Sequence, residues 1–340
     1  MTGQNSTPTP ATAAKPGPKQ PLVGVIYNRH SHRNQGLDHD STDRPNILVA
    51  HPSGTADLAG LLAGFAQRGV ELLVINGGDG TVRDVLTSGL PIWGDDWPAL
   101  AVLPKGKTNA LNVDLGAPAD WSLADAIAAF ERGNRVRRRA LKIAGAETSP
   151  PSGAGSTKPP AMLGFILGAG AFTTGIRVGQ DAHRMGAFNS LAVGATTAWG
   201  VVQSLFGTDR NRWRSGVGMQ LHIGAEGNPL AHSGIGDPDK RWFLISSTLE
   251  NLPVGMKPFG PYRTGLKLTV VDRPRRRLLA MIPAIVAGKV PQWVLRAGVH
   301  FVRTDRYDLA LADEFILDGE AFPAGRYTVS NGPELCFVVP

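Results

Sequence analysis

The segment "VINGGDGTVRDV" at residues 74–85 places one carboxylate, Asp79, among three glycines at the end of an apolar run. Glycines after a strand let the backbone turn sharply and let main-chain amides approach a ligand closely. Phosphoryl transfer needs such amides and a divalent cation, which a carboxylate can hold directly or through water. Thr81 adds a hydroxyl and is predicted to cap the following helix. The same residues fit a plain strand-to-helix turn with an aspartate cap equally well.

A second polar loop, "LPKGKTNALNVDLG" at 103–116, follows the apolar run 99–104 and opens a predicted helix. Two neighbouring parallel strands that end in glycine-bearing loops are expected to place both loops at one edge of the sheet. The string "GKT" at 106–108 imitates the end of a Walker A phosphate loop. The first glycine of that motif would fall at Ala101, inside the predicted strand, which argues against a P-loop site.

A third acidic element, "LDGE" at 317–320, ends a predicted strand far along the chain. Gly319 separates Asp318 from Glu320, and a glycine turn can direct both carboxylates into one cleft. The simpler alternative is a hairpin turn with two solvated acids.

The first half of the chain alternates strand and helix patterns, which favours a parallel sheet covered by helices on both faces. The predicted strands are 22–28, 46–51, 70–76 and 99–104, and the predicted helices are 54–69, 81–89 and 122–133.

The second half is dominated by β-type segments, which predict an antiparallel sandwich or open barrel. Helical stretches are predicted near 171–205 and 276–297. The predicted strands are 161–170, 216–224, 241–250, 266–272, 299–305, 307–313, 314–320, 326–332 and 334–340.

The predicted organisation is therefore a disordered tail at 1–20, an α/β domain at 21–140 and a β-rich domain at 141–340. A Pro/Gly/Ser-rich flexible insert is predicted at 144–160. A ligand cleft is expected at the carboxyl ends of the parallel strands, near the seam between the domains.

The 340 residues are 42% hydrophobic and 19% charged, as in a soluble globular protein. The net charge is +7, with basic clusters at 135–139, 209–214 and 273–277 that are either solvated faces or sites for an anionic partner. No aromatic-interleaved nucleic-acid motif accompanies them, so we expect an anionic membrane surface and no nucleic acid.

The single cysteine, Cys336, excludes an intrachain disulfide and a cysteine-based metal site. The first 21 residues lack the apolar core of a signal peptide, and no apolar run approaches the ~18 residues of a membrane span. We therefore expect a cytoplasmic protein that associates peripherally with membranes. Edge strands of the second domain would allow a homodimer.

Taken together, "GGDGTV", a G-x-x-N loop about 30 residues later and the late "DGE" resemble the diacylglycerol kinase catalytic-domain family, which includes bacterial lipid kinases, sphingosine kinases and ceramide kinases. "GGDGT" alone is also similar to NAD kinases and phosphofructokinases. The resemblance implies an α/β fold: an N-terminal phosphofructokinase/NAD-kinase-like parallel-sheet domain and a C-terminal antiparallel β-sandwich domain that takes the lipid.

The resemblance also implies a set of nucleotide-binding residues: Asn28 and Ser31 in the first loop, Gly77, Gly78, Gly80 and Thr81 in the second, and Gly106, Lys107, Thr108 and Asn109 in the third. The first loop, "NRHSH" at 28–32, departs from the family's N-P-x-S-G at Arg29 and His32. The third departs from P-x-G-T-x-N-D at Lys107 and at Ala110, where the family has an acid. Asp79, with Asp84 one turn later, is then the nearby acidic group.

The implied reaction is ATP-dependent phosphorylation of a lipid hydroxyl, with ATP and Mg²⁺ as cofactors. Asp79 would organise Mg²⁺ or the attacking hydroxyl, and Asp318 or Glu320 would act as general base. The string "NAL" at 109–111 slightly favours a ceramide or sphingoid base over diacylglycerol. Apolar segments at 164–172 and 187–207 would hold acyl chains or form ordinary core.

Bacterial members of the family carry a D-D-G turn that helps to bind a structural Mg²⁺. Arg263 and Thr264 occupy the matching acidic positions here, so no structural Mg²⁺ is expected at that turn. Two other functions remain open: a soluble-substrate kinase of the NAD-kinase type, and a non-catalytic lipid-binding regulatory module.

Overall fold

The structure, a computed structural model, describes residues 20–34, 44–145, 161–175, 215–273 and 275–340. Several predicted features lie outside these residues, wholly or for the most part: the tail at 1–20, the insert at 144–160, the apolar segment 187–207 and the basic cluster 209–214.

Four parallel strands form the centre of the first sheet, in the order β2-β1-β3-β4. They are β1 (Val23–Tyr27), β2 (Ile47–Ala50), β3 (Leu72–Gly77) and β4 (Ala99–Pro104). Every residue of β3 is buried, as expected for a central strand with both faces covered.

Four helices cover this sheet: α1 (Thr55–Gln67), α2 (Asp79–Trp93), α3 (Ala110–Leu115) and α4 (Leu123–Arg132). The first three pack on one face, where Leu73 and Ile75 of β3 point. The fourth packs on the other face, against Leu72 and Val74. The predicted α/β layer is confirmed.

Helix α2 is longer at both ends than the predicted segment 81–89. Gly89 lies inside the helix and does not end it. A glycine is needed there because the helix passes close to two tryptophans. A Cβ atom at Gly89 would lie 2.6 Å from Trp97 and 2.8 Å from Trp93. At the other end the cap residue is Gly78, so the prediction that Thr81 caps the helix is wrong.

The basic stretch 135–139 begins a strand that the sequence patterns did not reveal, β5 (Arg135–Gly145). Its arginines alternate outward, and Arg137 and Arg139 form ion pairs of 2.8 and 3.3 Å with Glu334. The partner strand, β17 (Gly325–Val338), is one long strand, although 326–332 and 334–340 were predicted as two. An irregularity between Asn331 and Glu334 shifts the register of the pair.

The remaining strands are β6 (Met162–Gly164), β7 (Ile166–Gly170), β8 (Val217–Ile223), β9 (Asn228–Pro229), β10 (Lys240–Arg241), β11 (Phe243–Ser247), β12 (Lys267–Val271), β13 (Val299–Arg303), β14 (Arg306–Leu311), β15 (Phe315–Leu317) and β16 (Glu320–Phe322). Short helices α5 (Arg276–Ala280), α6 (Ile282–Val286) and α7 (Gln292–Arg296) precede β13.

Two sheets pack face to face in the second half of the chain. Strands β13-β12-β11-β7-β15-β16 form an antiparallel sheet, while β10, β8, β14 and β17 continue the first sheet beyond β4. Leu167, Leu268 and Phe315 of one sheet share a core with Leu309 and Val329 of the other. The predicted antiparallel sandwich is confirmed, and the residue boundaries of the domains stay a prediction.

The close contact at Gly89 generates a stability test. Alanine at Gly89 adds a methyl group against two indole rings, and such overpacking costs about 1–3 kcal/mol. Alanine at Gly60, an exposed position inside α1 with open space around it, should instead stabilise by about 0.5–1 kcal/mol. Urea unfolding of both variants measures the difference. Equal stability of the two would contradict the packing role of Gly89.

Candidate active site

Two glycine loops meet at the carboxyl edge of the parallel sheet, as predicted. Gly77 and Pro104, the last residues of β3 and β4, are partners in the register. A Cβ atom at Gly106 would lie 2.6 Å from the Cα of Gly78, so the two backbones touch. Asn109, with φ of 49°, closes the second glycine loop (residues 104–109). Its side chain accepts from the Gly106 amide at 2.7 Å and donates to the Gly106 carbonyl at 3.0 Å.

The loop at residues 28–32, which precedes both glycine loops in the chain, is tied to helix α2 through Asn28. Its Nδ2 donates to the Thr81 hydroxyl at 2.8 Å, and its Oδ1 accepts from the amide of His30 at 2.9 Å. The Ser31 amide donates to the Asn28 carbonyl at 3.2 Å. The loop that carries Asn28 and Ser31 therefore lies beside Thr81 of the first glycine loop.

Asp79 begins α2 and caps α3. Its carboxylate accepts from the amides of Ala110 at 3.1 Å and Leu111 at 3.3 Å, two amides that a short helix leaves without intrahelical partners. Burial raises the pKa of Asp79 above its ordinary value, although these amides act in the opposite direction. The arrangement makes Asp79 the junction between the first glycine loop and α3.

Asp318 follows β15 and enters the same region from the second half of the chain. Its backbone has φ of 47°, and its carboxylate accepts from the amides of Phe165 and Ile166, each at 2.9 Å. Gly164 allows this approach, because a Cβ atom there would lie 2.6 Å from Oδ2 of Asp318. The side chain is therefore fixed by backbone groups on one side.

Burial, followed by the negative charge of Asp79, raises the pKa of Asp318 to about 7. A carboxylate whose ionised form is disfavoured by burial and by a neighbouring acid is a candidate for a site that binds a cation or a proton. The structure thus brings together the two acids that the sequence placed in separate motifs.

Arg83 is a residue that sequence reasoning missed. It is 5% exposed on α2, and its guanidinium pairs with Asp84 at 2.7 Å and with Glu320. It also donates to the Leu317 carbonyl at 3.3 Å and lies 5.6 Å from the ring centroid of Phe322. Arg83 therefore fastens the "DGE" turn to the helix that Asp79 begins.

This ion pair separates the predicted acids. Glu320 is exposed and its carboxylate is bound by Arg83, as is that of Asp84, whereas Asp318 is partly buried and held by amides alone. Arg83 sits on the apolar stripe of α2 with Val82 and Leu86, and a charged residue on such a stripe indicates an acidic partner from another segment.

Lys107 and Thr108 stand exposed at the tip of the second glycine loop, next to Gly106. Gly80 has open space around its Cα and lies in the first turn of α2. These residues line the rim of the site and leave main-chain amides and one cation accessible to an anionic ligand.

Helix α3 is anchored at its other end by Asp114. This buried carboxylate pairs with Arg138 at 2.7 Å and accepts from the amides of Glu250 and Asn251 at 2.8 and 2.5 Å. The same short helix therefore connects Asp79 to the loop that follows β11 in the sandwich.

Among the residues that the structure describes, no group of three or more histidine, cysteine or acidic side chains is arranged to hold a metal ion. No helix in the described ranges combines the length and hydropathy of a bilayer span.

Comparison with known proteins finds similarity to lipid kinases over part of the chain. Residues 23–143 match the family model of the diacylglycerol kinase catalytic domain. The protein named probable lipid kinase YegS from Shigella flexneri is 38% identical over 62 residues, which is 18% of this chain and 21% of that protein. The namesake from Escherichia coli O1:K1 / APEC is 42% identical over 50 residues, 15% of this chain and 17% of that protein. The chain thus matches about a fifth of the length of these curated relatives.

The fold has solved counterparts. The crystal structure of a diacylglycerol kinase from Bacillus anthracis str. Sterne superposes with a TM-score of 0.62 at 15% identity, covering 95% of this chain and 98% of that one. At this identity the superposition establishes the two-domain fold.

The touching glycine loops generate a binding test. Alanine at Gly106 would press against the Cα of Gly78, and strain of about 1–3 kcal/mol that displaces the loop would weaken the binding of a phosphate-bearing ligand ~10- to 100-fold, with Mg²⁺–ATP as the probe. Isothermal titration calorimetry measures this. Alanine at Gly64, a helical position with open space, is the matched control and should bind like the wild type. Wild-type affinity in Gly106→Ala would show that the loop contact is not needed for binding.

Proposed function

We propose that this chain, whose residues 23–143 match the model of the diacylglycerol kinase catalytic domain, transfers a phosphoryl group from ATP to the hydroxyl group of a lipid. The observation that carries the proposal is the meeting of Asp79, at the glycine loops, with Asp318, from the sandwich. One carboxylate lies where phosphates would bind, and the other, close enough to feel its charge, has a pKa of about 7.

The nucleotide phosphates would bind across the two touching glycine loops. The amides of Gly78, Gly80 and Thr81 lie at the N-terminus of α2, which is the end of a helix that attracts anions. Lys107, exposed on the facing loop, supplies a cation close to them. Asn28 keeps the Thr81 hydroxyl oriented through its 2.8 Å hydrogen bond.

The acidic residues fit a magnesium ion that arrives with the nucleotide. Hard carboxylate oxygens are what Mg²⁺ prefers, and the ion usually takes one or two carboxylates and completes its shell with water and phosphate oxygens. Asp79 has oxygens with lone pairs left after its amide contacts and would hold the ion directly or through water, which leaves the Asp318 carboxylate free of the metal. When bound, Mg²⁺ would neutralise charge on the transferring phosphoryl group.

Asp318 is the general base in this proposal. The lipid hydroxyl oxygen attacks the γ-phosphorus, its proton passes to the Asp318 carboxylate, and the bond to the β,γ-bridging oxygen breaks to release ADP. A base works best when its pKa lies near the working pH, and that of Asp318 is about 7. Glu320, held by Arg83, instead positions the turn that carries Asp318.

A lipid is the substrate class that the second domain favours. Next to Asp318, Phe165 and Leu163 belong to an apolar core cluster that reaches Leu249 and Phe259, so the surroundings of the site are apolar on the side of the second domain. Ceramide, sphingoid base and diacylglycerol share the hydroxyl that the proposed reaction needs.

A screen with radiolabelled ATP tests the function. Purified protein is incubated with vesicles containing diacylglycerol, sphingosine or ceramide, and separately with NAD as a soluble acceptor. Label in one lipid, lost in Asp79→Asn while that variant remains folded by circular dichroism, is the expected result. Label in NAD alone would identify a soluble-substrate kinase. Absence of calorimetric Mg²⁺–ATP binding would favour a non-catalytic module.

The base assignment predicts a particular pH profile. Asp318 must be ionised to accept a proton, so kcat/KM should rise tenfold per pH unit below about 7 and level off above it. Asp318→Asn should lose at least ~10²-fold and the rising limb with it. Glu320→Gln, the matched control, should retain the rising limb. A normal limb in Asp318→Asn would remove Asp318 as the base.

Stability measurements give an independent readout of the same group. The pKa of Asp318 is raised on folding, so the folded protein keeps its proton between about pH 4 and 7 while the unfolded chain loses it. The free energy of unfolding of the wild type, relative to that of Asp318→Asn, should therefore fall as the pH rises from about 4 to 7. A difference that does not change with pH would contradict the raised pKa.

A further inference from the structure

The 3₁₀ turn Pro253–Gly255 carries an exposed apolar tip. Val254 is 98% exposed and Met256 is 40% exposed, and Val113, 42% exposed, comes from α3, which lies against this turn. Val254 also has φ of 57°, a backbone region that a β-branched side chain enters only under strain. A strained, fully exposed valine contributes nothing to the core, and its side chain is available for contact with something outside the chain.

Basic side chains surround this tip. Lys257 and Arg263 are exposed and line the pocket beneath the turn, together with the buried Lys267. The acidic residue in this lining, Glu250, pairs with Arg138 at 3.3 Å. An apolar tip with a cationic rim matches the order of layers in an anionic bilayer, where phosphates lie outside acyl chains.

A buried ammonium group fixes the base of the turn. Lys267 is 1% exposed, and its Nζ donates to the carbonyls of Leu249 at 2.6 Å and Gly265 at 3.3 Å. The same group lies 5.2 Å from the ring centroid of Phe259. The chain on both sides of the exposed tip is therefore held in place, which lets the tip meet a surface without first becoming ordered.

The tip lies one short helix away from the candidate active site. Helix α3 has six residues, which is roughly 9 Å of rise, with Asp79 at its first amides and Asp114 binding the loop before the turn at its other end. A bilayer in contact with the tip would therefore present the hydroxyl groups of its lipids on the side of the protein that carries Asp318.

We propose that Val113, Val254, Met256, Lys257 and Arg263 form a docking surface for an anionic lipid bilayer. Val254 and Met256 enter the acyl region, while Lys257 and Arg263 bind lipid phosphates. The proposal rests on the proposed lipid-kinase function, since it names the membrane face through which the same site meets its substrate.

Vesicle co-sedimentation of the full chain, without ATP, tests the surface. Binding to phosphatidylcholine vesicles that contain phosphatidylglycerol should exceed binding to phosphatidylcholine alone. Val254→Asn, which tolerates the left-handed backbone, should lower the partition coefficient about tenfold, and Val254→Leu, which remains apolar, should retain it. Lys257→Gln should lower it about fivefold. Arg68→Gln, the same charge change at the opposite edge of the parallel sheet, should not.

Activity on a dispersed short-chain lipid separates the two proposals. Val254→Asn should phosphorylate the dispersed lipid at the wild-type rate and lose activity only on vesicles. Wild-type vesicle binding in both Val254→Asn and Lys257→Gln would overturn the docking surface while leaving the kinase proposal intact. Vesicle binding that Val254→Asn and Lys257→Gln both weaken, without phosphoryl transfer to any lipid, would support the docking surface and overturn the kinase proposal.

Discussion

The electrostatic coupling of Asp79 and Asp318 is the interaction on which the rest of this structure depends. Each carboxylate is held by two backbone amides of a different layer, so neither can swing away from the other at low cost. Burial, with the negative charge of Asp79 as the second cause, raises the pKa of Asp318 to about 7 and makes the seam favourable for a proton or a divalent cation. Charge repulsion that would only destabilise a structural core becomes useful where a cation and phosphates bind.

Several separate features serve that coupling. The glycines at 78 and 106 let two strand ends touch, which places Asp79 against the amides that begin α3. Arg83 binds Glu320 and the Leu317 carbonyl, which fixes the turn on which Asp318 sits. At the far end of α3, Asp114 binds the sandwich loop. The fold is thus clamped at both sides of the proposed site, and the exposed tip near Val254, proposed as a docking surface, lies against the same helix.

Local patterns predicted the layers and the loops, because continuous apolar runs, glycines after strands and alternating β-segments act over a few residues. Strand β5 escaped, since its outward arginines hide a two-residue period among polar letters. Helix α2 was predicted too short because a glycine at position 89 resembles the end of a helix. The structure gives another reason for this glycine, since a side chain there would collide with two tryptophans. The pairing of Arg83 with Glu320 joins distant segments, and no local pattern encodes which acid a buried arginine will meet. For the same reason the sequence left Asp318 and Glu320 equivalent.

A carbon-13 NMR titration of the aspartate carboxyl groups would test the central coupling directly, with Asp318→Asn used to assign the Asp318 signal. In the wild-type protein Asp318 should titrate near pH 7, and in Asp79→Asn its pKa should fall because one of the two causes of its elevation is gone. An Asp318 signal that titrates at the ordinary aspartate value of 3.8, or whose pKa does not change in Asp79→Asn, would contradict the account.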